Sequence, residues 1–124
     1  MSAPNIVNVA TITGKTAYVK LTDTNLTTVV NNPASSGKLI KVISLYVCNI
    51  DGTNACDVTI SLCSQDDIGG TEYQIASTVA VPADSALVII DKNAPINLEE
   101  DKSIGAKASA ANDLVVIASY EELS

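Results

Sequence analysis

The chain has 124 residues and is 47% apolar but only 3% aromatic, and its 7 Lys against 14 acidic residues give a net charge of -7. With this charge and no Arg, binding to nucleic acid or to an anionic membrane surface is not predicted. The chain also has no His, so it lacks the usual general base and the commonest metal ligand, and we predict neither an enzyme nor a cofactor or metal requirement.

The first third of the chain predicts short strands separated by turn residues. Apolar residues over Ile6–Thr13 predict a first strand, which Gly14 is expected to break. Lys15–Thr22 alternates as a half-buried strand does, with Ala17, Val19 and Leu21 sharing one face. A third strand is predicted over Leu26–Val30, and the turn formers of Asn31–Gly37 predict a loop.

The most regular stretch is Lys38–Ser64. Its first arm, Leu39–Ile50, is apolar at nearly every position, which is typical of a strand covered on both faces. Its second arm, Cys56–Cys63, alternates apolar with polar residues and predicts a half-buried strand. Asp51–Asn54 lies between the arms, and Gly52 can supply a positive φ for a tight reversal. We therefore predict a hairpin in the middle of a sheet.

The second half of the chain continues the pattern of strands and turns. After a loop over Gln65–Thr71, strands are predicted over Tyr73–Val81 and, as a fully covered strand, over Ala86–Ile90. The remaining predicted strands are a short one around Ile96 and Leu98, one over Ile104–Ala110 and one over Leu114–Tyr120.

These elements predict the fold class. No window of helical length has apolar residues at three- and four-residue spacing. Strands separated by turns about every 8 to 12 residues indicate an antiparallel β-sandwich of jelly-roll or immunoglobulin-like type, with about nine or ten strands. The length predicts one domain over residues 1–124.

Cysteines and acidic clusters are the remaining candidates for chemistry. Cys48, Cys56 and Cys63 are interpreted as buried thiols of a protein made in a reducing cytoplasm, although a Cys48–Cys56 bridge across the predicted hairpin stays open. The acids at 66–67, 99–101 and 121–122 lack the ligand spacing of a calcium loop, so they are predicted to be solvated turns.

The apolar surplus predicts a contact surface. A mean hydropathy of +0.28 is high for a small soluble monomer, yet no apolar run is long enough to span a membrane and the first residues lack the pattern of a targeting segment. A subunit interface accounts for the surplus; a monomer with a wide core is the alternative. The residues that we predict to form the interface are Ile43, Leu45, Tyr46, Val47 and Tyr120.

Three stretches together resemble a known class of protein. They are Asn5–Ile12, Asn49–Ala55 and the ending from Leu98–Asp101 through Asp113-Leu114 to Ser119–Glu122. They resemble small virion structural proteins of tailed bacteriophages, especially those of marine and freshwater hosts such as cyanobacteria. The resemblance implies a non-enzymatic β-sandwich that is present in many copies on the virion and is placed by protein contacts. It carries over no catalytic residues.

We therefore expect a virion structural protein, made in the host cytoplasm, that contacts copies of itself and other virion proteins such as the major capsid protein. A head decoration (cement or knob) protein is the first interpretation. A neck, tail or fibre component is the second interpretation. A carbohydrate-binding module at a fibre tip is an alternative from another functional class.

Overall fold

The computed structural model describes residues 9–124, which form nine β-strands in two antiparallel sheets and contain no helix. The predicted all-β antiparallel sandwich is confirmed. The predicted strand over Ile6–Thr13 lies largely outside the described residues. The strands are β1 (Ile12–Lys20), β2 (Thr27–Asn32), β3 (Leu39–Asn49), β4 (Cys56–Cys63), β5 (Glu72–Val81), β6 (Ala86–Ile90), β7 (Ile96–Leu98), β8 (Lys102–Ala108) and β9 (Leu114–Leu123).

The chain crosses repeatedly between the two sheets, and only β4–β5 and β6–β7 are consecutive strands of the same sheet. The five-stranded sheet has the order β1-β9-β3-β6, and the short β7 pairs with β3 along the same edge as β6. The four-stranded sheet has the order β2-β8-β4-β5. Side chains from the inner faces of both sheets form one core, because alternate residues of each strand point to the same face. Its largest fully buried members include Leu21, Ile40, Leu45, Ile60, Leu98, Ile104 and Leu114.

The predicted hairpin at Lys38–Ser64 is wrong. Its two arms are the strands β3 and β4, but they belong to different sheets, and each is an inner strand of its own sheet. The connection between them crosses from one sheet to the other, and Gly52 is not among the residues with positive φ. The apolar pattern identified two inner strands correctly, but it contains no information on which strands pair.

The pairing of β3 within the five-stranded sheet ends at Asn49, because the side chain of this residue bonds to the other sheet. This residue is 1% exposed, and its Nδ2 donates to the carbonyl oxygens of Asn54 at 3.0 Å and of Val81 at 2.9 Å. Val81 belongs to the four-stranded sheet, so the Asn49 amide joins the two sheets where the chain crosses over. The Asp51 carboxylate then accepts the Thr53 N–H at 2.8 Å, which turns the chain without a hairpin.

Two further predictions at sheet edges are corrected. Gly14 does not break a strand: β1 runs through it and pairs with β9 without interruption from Ile12 to Lys20. β6 is not covered on both faces, because it lies at a sheet edge and leaves Val88 60% exposed. A fully apolar run therefore marks an edge strand here.

The cysteines are free thiols, and Cys48 and Cys56 lie in different sheets rather than opposite each other across a hairpin. Cys56 and Cys63 are buried, as the sequence predicts, whereas Cys48 is only half-buried. Burial raises the pKa of the Cys63 thiol, which makes this side chain a poor nucleophile at neutral pH.

The Glu122 carboxylate links three segments of the five-stranded sheet. It lies in β9 and accepts from the Nζ atoms of Lys15 in β1 and of Lys38 beside β3, both at 3.2 Å. Glu121–Glu122 is therefore part of a strand, not a solvated turn. Burial by itself raises the pKa of Glu122, but hydrogen bonds from the two lysines outweigh it and lower the pKa below its ordinary 4.5.

The lowered pKa predicts a pH-dependent contribution to stability. The ion pairs stabilise the fold above pH 4.5, and this contribution is lost as the pH falls through the folded-state pKa. We expect Glu122→Gln to cost about 0.5–1 kcal/mol at pH 7, a modest value because both lysines are exposed to water. Urea unfolding at pH 7 and pH 3 should show the difference only at pH 7. Glu121→Gln is the control, and an equal loss for both variants contradicts the assignment.

Candidate assembly interface

The outer face of the four-stranded sheet is covered by the chain itself. A loop over residues 64–71 lies across β8, and a Cβ added at Gly105 would stand 2.8 Å from Cγ2 of Ile68 and 3.0 Å from Cγ of Leu26. Because these contacts are so close, only glycine fits beneath the two side chains. This cover leaves little of β8 open to a neighbouring protein.

Hydrogen bonds hold this cover in place. The Ile68 N–H donates to Ser103 Oγ at 2.8 Å, and that hydroxyl donates to the Gln65 carbonyl, also at 2.8 Å. On the neighbouring strand β4, Ser61 is fully buried and donates to Glu72 Oε1 at 3.2 Å. The polar residues that alternate with apolar ones along β4 and β8 are thus partly buried by other segments of the chain and are not fully solvated.

The outer face of the five-stranded sheet is different, because it leaves large apolar side chains partly or largely exposed. The strand register aligns four large side chains in one row from edge to edge: Tyr18 of β1, Ile117 of β9, Tyr46 of β3 and Val88 of β6. Tyr18 is 80% exposed and Val88 is 60% exposed, while the two side chains between them are half-buried. We call this row, with its four residues, the apolar row.

A second apolar strip crosses the same face near the ends of the chain. Ile12, Leu123 and Leu39 are aligned across β1, β9 and β3, and they line a shallow groove of about 400 Å³. Pro95, Asn97, Lys41 and Glu121 form the rest of the groove wall. Small polar residues, Thr16, Ser119 and Ser44, separate this strip from the apolar row.

The charge on this face also differs from the rest of the molecule. The residues whose register places them on the outer face include Lys20, Lys41 and Glu121 as the charged members. Two lysines and one glutamate give this face a net charge of +1, whereas the whole chain has a net charge of -7. An acidic protein repels its own copies and other acidic surfaces least through such a face.

The structure separates the residues that the sequence predicts to form the interface. Tyr46 lies in the apolar row, and Ile43 is half-buried where the pairing of β3 with β9 shifts. Tyr120 is half-buried but packs against the core. Leu45 and Val47 are 0% exposed, so their side chains cannot reach a partner, and the prediction is corrected for these two. The shift between Val42 and Ser44 turns Leu45 and Val47 inward.

Sequence reasoning missed Tyr18, Ile117 and Val88 as members of this surface. The alternation of β1 does assign Tyr18 to its polar face, which is a signal that a tyrosine is exposed. These residues align with Tyr46 because of three registers, those of β1 with β9, of β9 with β3 and of β3 with β6. A single sequence does not specify these registers.

The acidic residues of the loops have structural roles. Asp66 Oδ2 accepts the Ala34 N–H at 3.1 Å, Asp101 Oδ1 accepts the Asp66 N–H at 3.1 Å, and Glu100 Oε2 accepts the Gly37 N–H at 3.2 Å. These carboxylates join three loops at one end of the sandwich. Across residues 9–124, no group of three or more His, Cys, Asp or Glu side chains is arranged to hold a metal ion. The same residues include no helix long and apolar enough to cross a membrane.

Comparison with known proteins gives a likeness of fold. No protein-family model matches the chain, and no curated protein matches it. Among solved structures, it is similar to a chain of Bacillus endospore appendages, described as disulfide-linked pili, with a TM-score of 0.51 and 16% identity over 92% of this chain and 88% of that chain. At this identity the likeness shows a shared sandwich fold alone.

Two viral structures are more distant. A chain from the capsid structure of Helicobacter pylori bacteriophage KHP30 has a TM-score of 0.49 and 10% identity, covering 94% of this chain and 90% of that chain. A chain of the T13 viral particle of IBDV has a TM-score of 0.45 and 7% identity, covering 93% of this chain and 31% of that chain. Neither similarity supports an argument about function.

Proposed function

We propose that this chain is a non-enzymatic structural protein of a bacteriophage virion, and specifically a head decoration protein that attaches to the capsid and reinforces it. The observation that carries the proposal is the outer face of the five-stranded sheet. An apolar row runs across it, with Tyr18 and Val88 at its ends 80% and 60% exposed. Contiguous apolar surface rimmed by polar residues is typical of protein contact sites.

The contact works through repetition. Three strands of 9 to 11 residues and the 5-residue β6, about 4.8 Å apart, present an area on the order of 500 Å² to a partner, which is small for a stable two-protein complex. Many copies held on one shell reinforce each other's attachment, because each bound copy adds to the contacts that must break together. The resemblance to small virion proteins of tailed bacteriophages supports the same interpretation.

Capsid binding tests this proposal directly. Val88→Lys places a charge at the exposed end of the apolar row, on an edge strand where the side chain leaves the core intact. We expect this variant to lower the affinity for capsids of the parent phage by about tenfold or more per copy, measured by co-sedimentation with purified particles. Tyr73→Lys is the matched control, because Tyr73 is also an exposed apolar residue, at 62%, but lies on the four-stranded sheet.

Two measurements separate the alternatives. Loss of capsid binding in Val88→Lys but not in Tyr73→Lys supports the proposal; binding that is equal in both variants contradicts it. The copy number per virion, from quantitative mass spectrometry, separates the shell from other positions: hundreds of copies indicate head decoration, whereas about a dozen or fewer indicate a neck, tail or fibre component.

The exposed Tyr18 is the observation that favours the second function, a carbohydrate-binding module at a fibre tip. A tyrosine ring that is 80% exposed on the outer face of a sheet offers an aromatic surface on which a sugar ring can pack. Specific binding on a glycan array that is lost in Tyr18→Ala supports this alternative and counts against decoration.

A further inference from the structure

β1 is the outermost strand of the five-stranded sheet within the described residues. Thr11 and Ser124 exchange N–H and carbonyl bonds at 2.9 Å, and the Leu21 N–H bonds to Leu114 O at 2.9 Å. Because bonded and non-bonded pairs alternate in an antiparallel ladder, odd-numbered residues of β1 bond to β9. The N–H and C=O groups that point away from β9, to the free edge, are those of Ile12, Gly14, Thr16, Tyr18 and Lys20.

β1 is also the most regular of the edge strands. Its pairing with β9 has no bulge over the nine residues from Ile12 to Lys20. Of the other edge strands, β7 has only three residues, and the remaining three are each interrupted: β2 between Thr28 and Val30, β5 beside Val79 and Ala76, and β6 beside Val88 and Ile90. Bulges protect an edge from pairing with another chain, and a long regular edge is a template for it. β1 has no proline and no acidic residue to block it.

We propose that a second copy of this chain occupies this edge, with the two β1 strands paired antiparallel about a two-fold axis at Thr16. In this register Thr16 stands opposite Thr16 of the second copy, Gly14 opposite Tyr18, and Ile12 opposite Lys20. All edge-facing groups then find partners, in about ten hydrogen bonds between the strands. The two five-stranded sheets become one continuous sheet across the dimer.

Self-complementarity is the reason for choosing a second copy as the occupant. A register shifted by two residues leaves one edge-facing residue of each strand unpaired, so pairing about Thr16 makes the most hydrogen bonds. β1 contains two charged residues, Lys15 and Lys20, and in this register neither faces a lysine of the other copy. Pairing about Thr16 therefore places no like charges directly opposite each other.

Gly14 supports the same register. A Cβ at this position would meet nothing within 4 Å, so neither packing in the described chain nor a positive φ requires a glycine there. Glycine in the interior of a strand weakens it and often marks a close approach by another group. In the proposed pairing the exposed Tyr18 ring of the second copy lies across Gly14, the arrangement by which an aromatic side chain shields an edge glycine.

The dimer does not rest on the proposed capsid function. It is tested on the purified chain alone, whereas capsid binding is tested through Val88 on the opposite edge of the sheet. Failure of one therefore leaves the other standing.

The first test blocks the edge without disturbing β9. Thr16 directs its N–H away from β9, so Thr16→Pro removes an edge donor while the bonds to β9 stay intact. We expect the wild-type chain to sediment at twice the 12.8 kDa chain mass at high concentration. Thr16→Pro should weaken association on the order of 100-fold, whereas the control Thr16→Val should retain it. Tyr18→Ala should weaken it roughly two- to fivefold.

The second test fixes the register by oxidative crosslinking. Residues opposite each other in a bonded antiparallel pair have Cα atoms about 5.5 Å apart, within the range of a disulfide. Thr16→Cys should form crosslinked dimers with itself under mild oxidation, beyond any background from the native thiols. Ile12→Cys and Lys20→Cys should crosslink when mixed with each other but not alone. Circular dichroism and thermal melting confirm that each variant is folded.

Three results would overturn the proposal. They are a wild-type chain that stays monomeric at about 100 µM, a dimer that forms equally well in folded Thr16→Pro, and crosslinking that is no greater for Thr16→Cys than for Lys20→Cys alone. In a monomer, slow hydrogen exchange at Gly14, Thr16 and Tyr18 would show that the edge of β1 is already occupied, which would also exclude the proposed dimer.

Discussion

Replacing Leu45 with alanine is expected to destabilise the fold by about 2–5 kcal/mol, because the truncated side chain leaves a cavity in the centre of the sandwich. Leu45 is 0% exposed and lies on the inner strand β3, opposite Ala118 of β9 and Ile90 of β6. For a chain of this length, each kcal/mol lowers the melting temperature by roughly 3–5 °C. Thermal unfolding followed by circular dichroism should therefore show a drop on the order of 10 °C.

Tyr46→Ala is the matched control for Leu45→Ala. The two residues are neighbours on the same strand, but Tyr46 points to the outer face, where its ring contributes through cross-strand neighbours rather than through the core. We expect a cost of about 0.5–1 kcal/mol for this variant. If Tyr46→Ala is as damaging as Leu45→Ala, the assignment of the two faces of β3 is wrong.

Replacing Asn49 with alanine is the second change with a large expected effect. Its amide donates to the carbonyl of Val81 in a buried bond and to that of Asn54 in a partly buried bond, and its Oδ1 accepts the Asp51 N–H at 2.9 Å. Alanine leaves these groups without a partner at the crossing between the sheets, where the Val81 carbonyl is shielded from water. Leaving buried polar groups unsatisfied costs about 1–3 kcal/mol each, so we expect a total loss of about 2–4 kcal/mol in urea unfolding.

Two variants make the Asn49 prediction specific. Asn49→Asp keeps the shape but cannot donate and buries a charge, so it should destabilise at least as much as alanine at pH 7. Asn97→Ala is the control, because Asn97 also lies in a strand but is exposed. An Asn49→Ala variant as stable as Asn97→Ala would show that the inter-sheet bonds contribute nothing. Asn32, fully buried and donating to Leu98 O at 2.9 Å, joins the sheets in the same way elsewhere.

Local sequence pattern predicted much of the fold. The alternation of Ala17, Val19 and Leu21 placed these residues on the core side of β1 and the segment after it, and the structure confirms this. Ile104, Ala106 and Ala108 on β8 are buried as their spacing predicts. A period of two is a property of each strand alone, so one sequence suffices to identify it.

Pairing between strands could not be predicted in this way. The Lys38–Ser64 stretch predicts a hairpin, because its two arms are adjacent in sequence and are separated by turn residues. The buried amide of Asn49 instead carries the chain to the other sheet. Asparagine near a turn is compatible with both outcomes, and only its burial and its bond to Val81 distinguish them.

The candidate interface shows the same division. The excess of apolar residues in the sequence predicted a contact surface, with Tyr46 among its predicted members. Leu45 and Val47 were assigned to it wrongly, because a bulge in β3 changes which side chains face the core. Tyr18, Ile117 and Val88 join Tyr46 only through the registers of four strands.

The amino-acid sequence by itself thus determined that the chain forms strands, which of their residues are apolar, and that the chain has no Arg and no His. These are local properties or properties of the composition. Tertiary structure alone decided which strands pair, which of them lie at the edges of the sheets and which side chains share an outer face. Those features depend on contacts between residues far apart in the chain, and a shift of one residue in register moves every side chain to the opposite face.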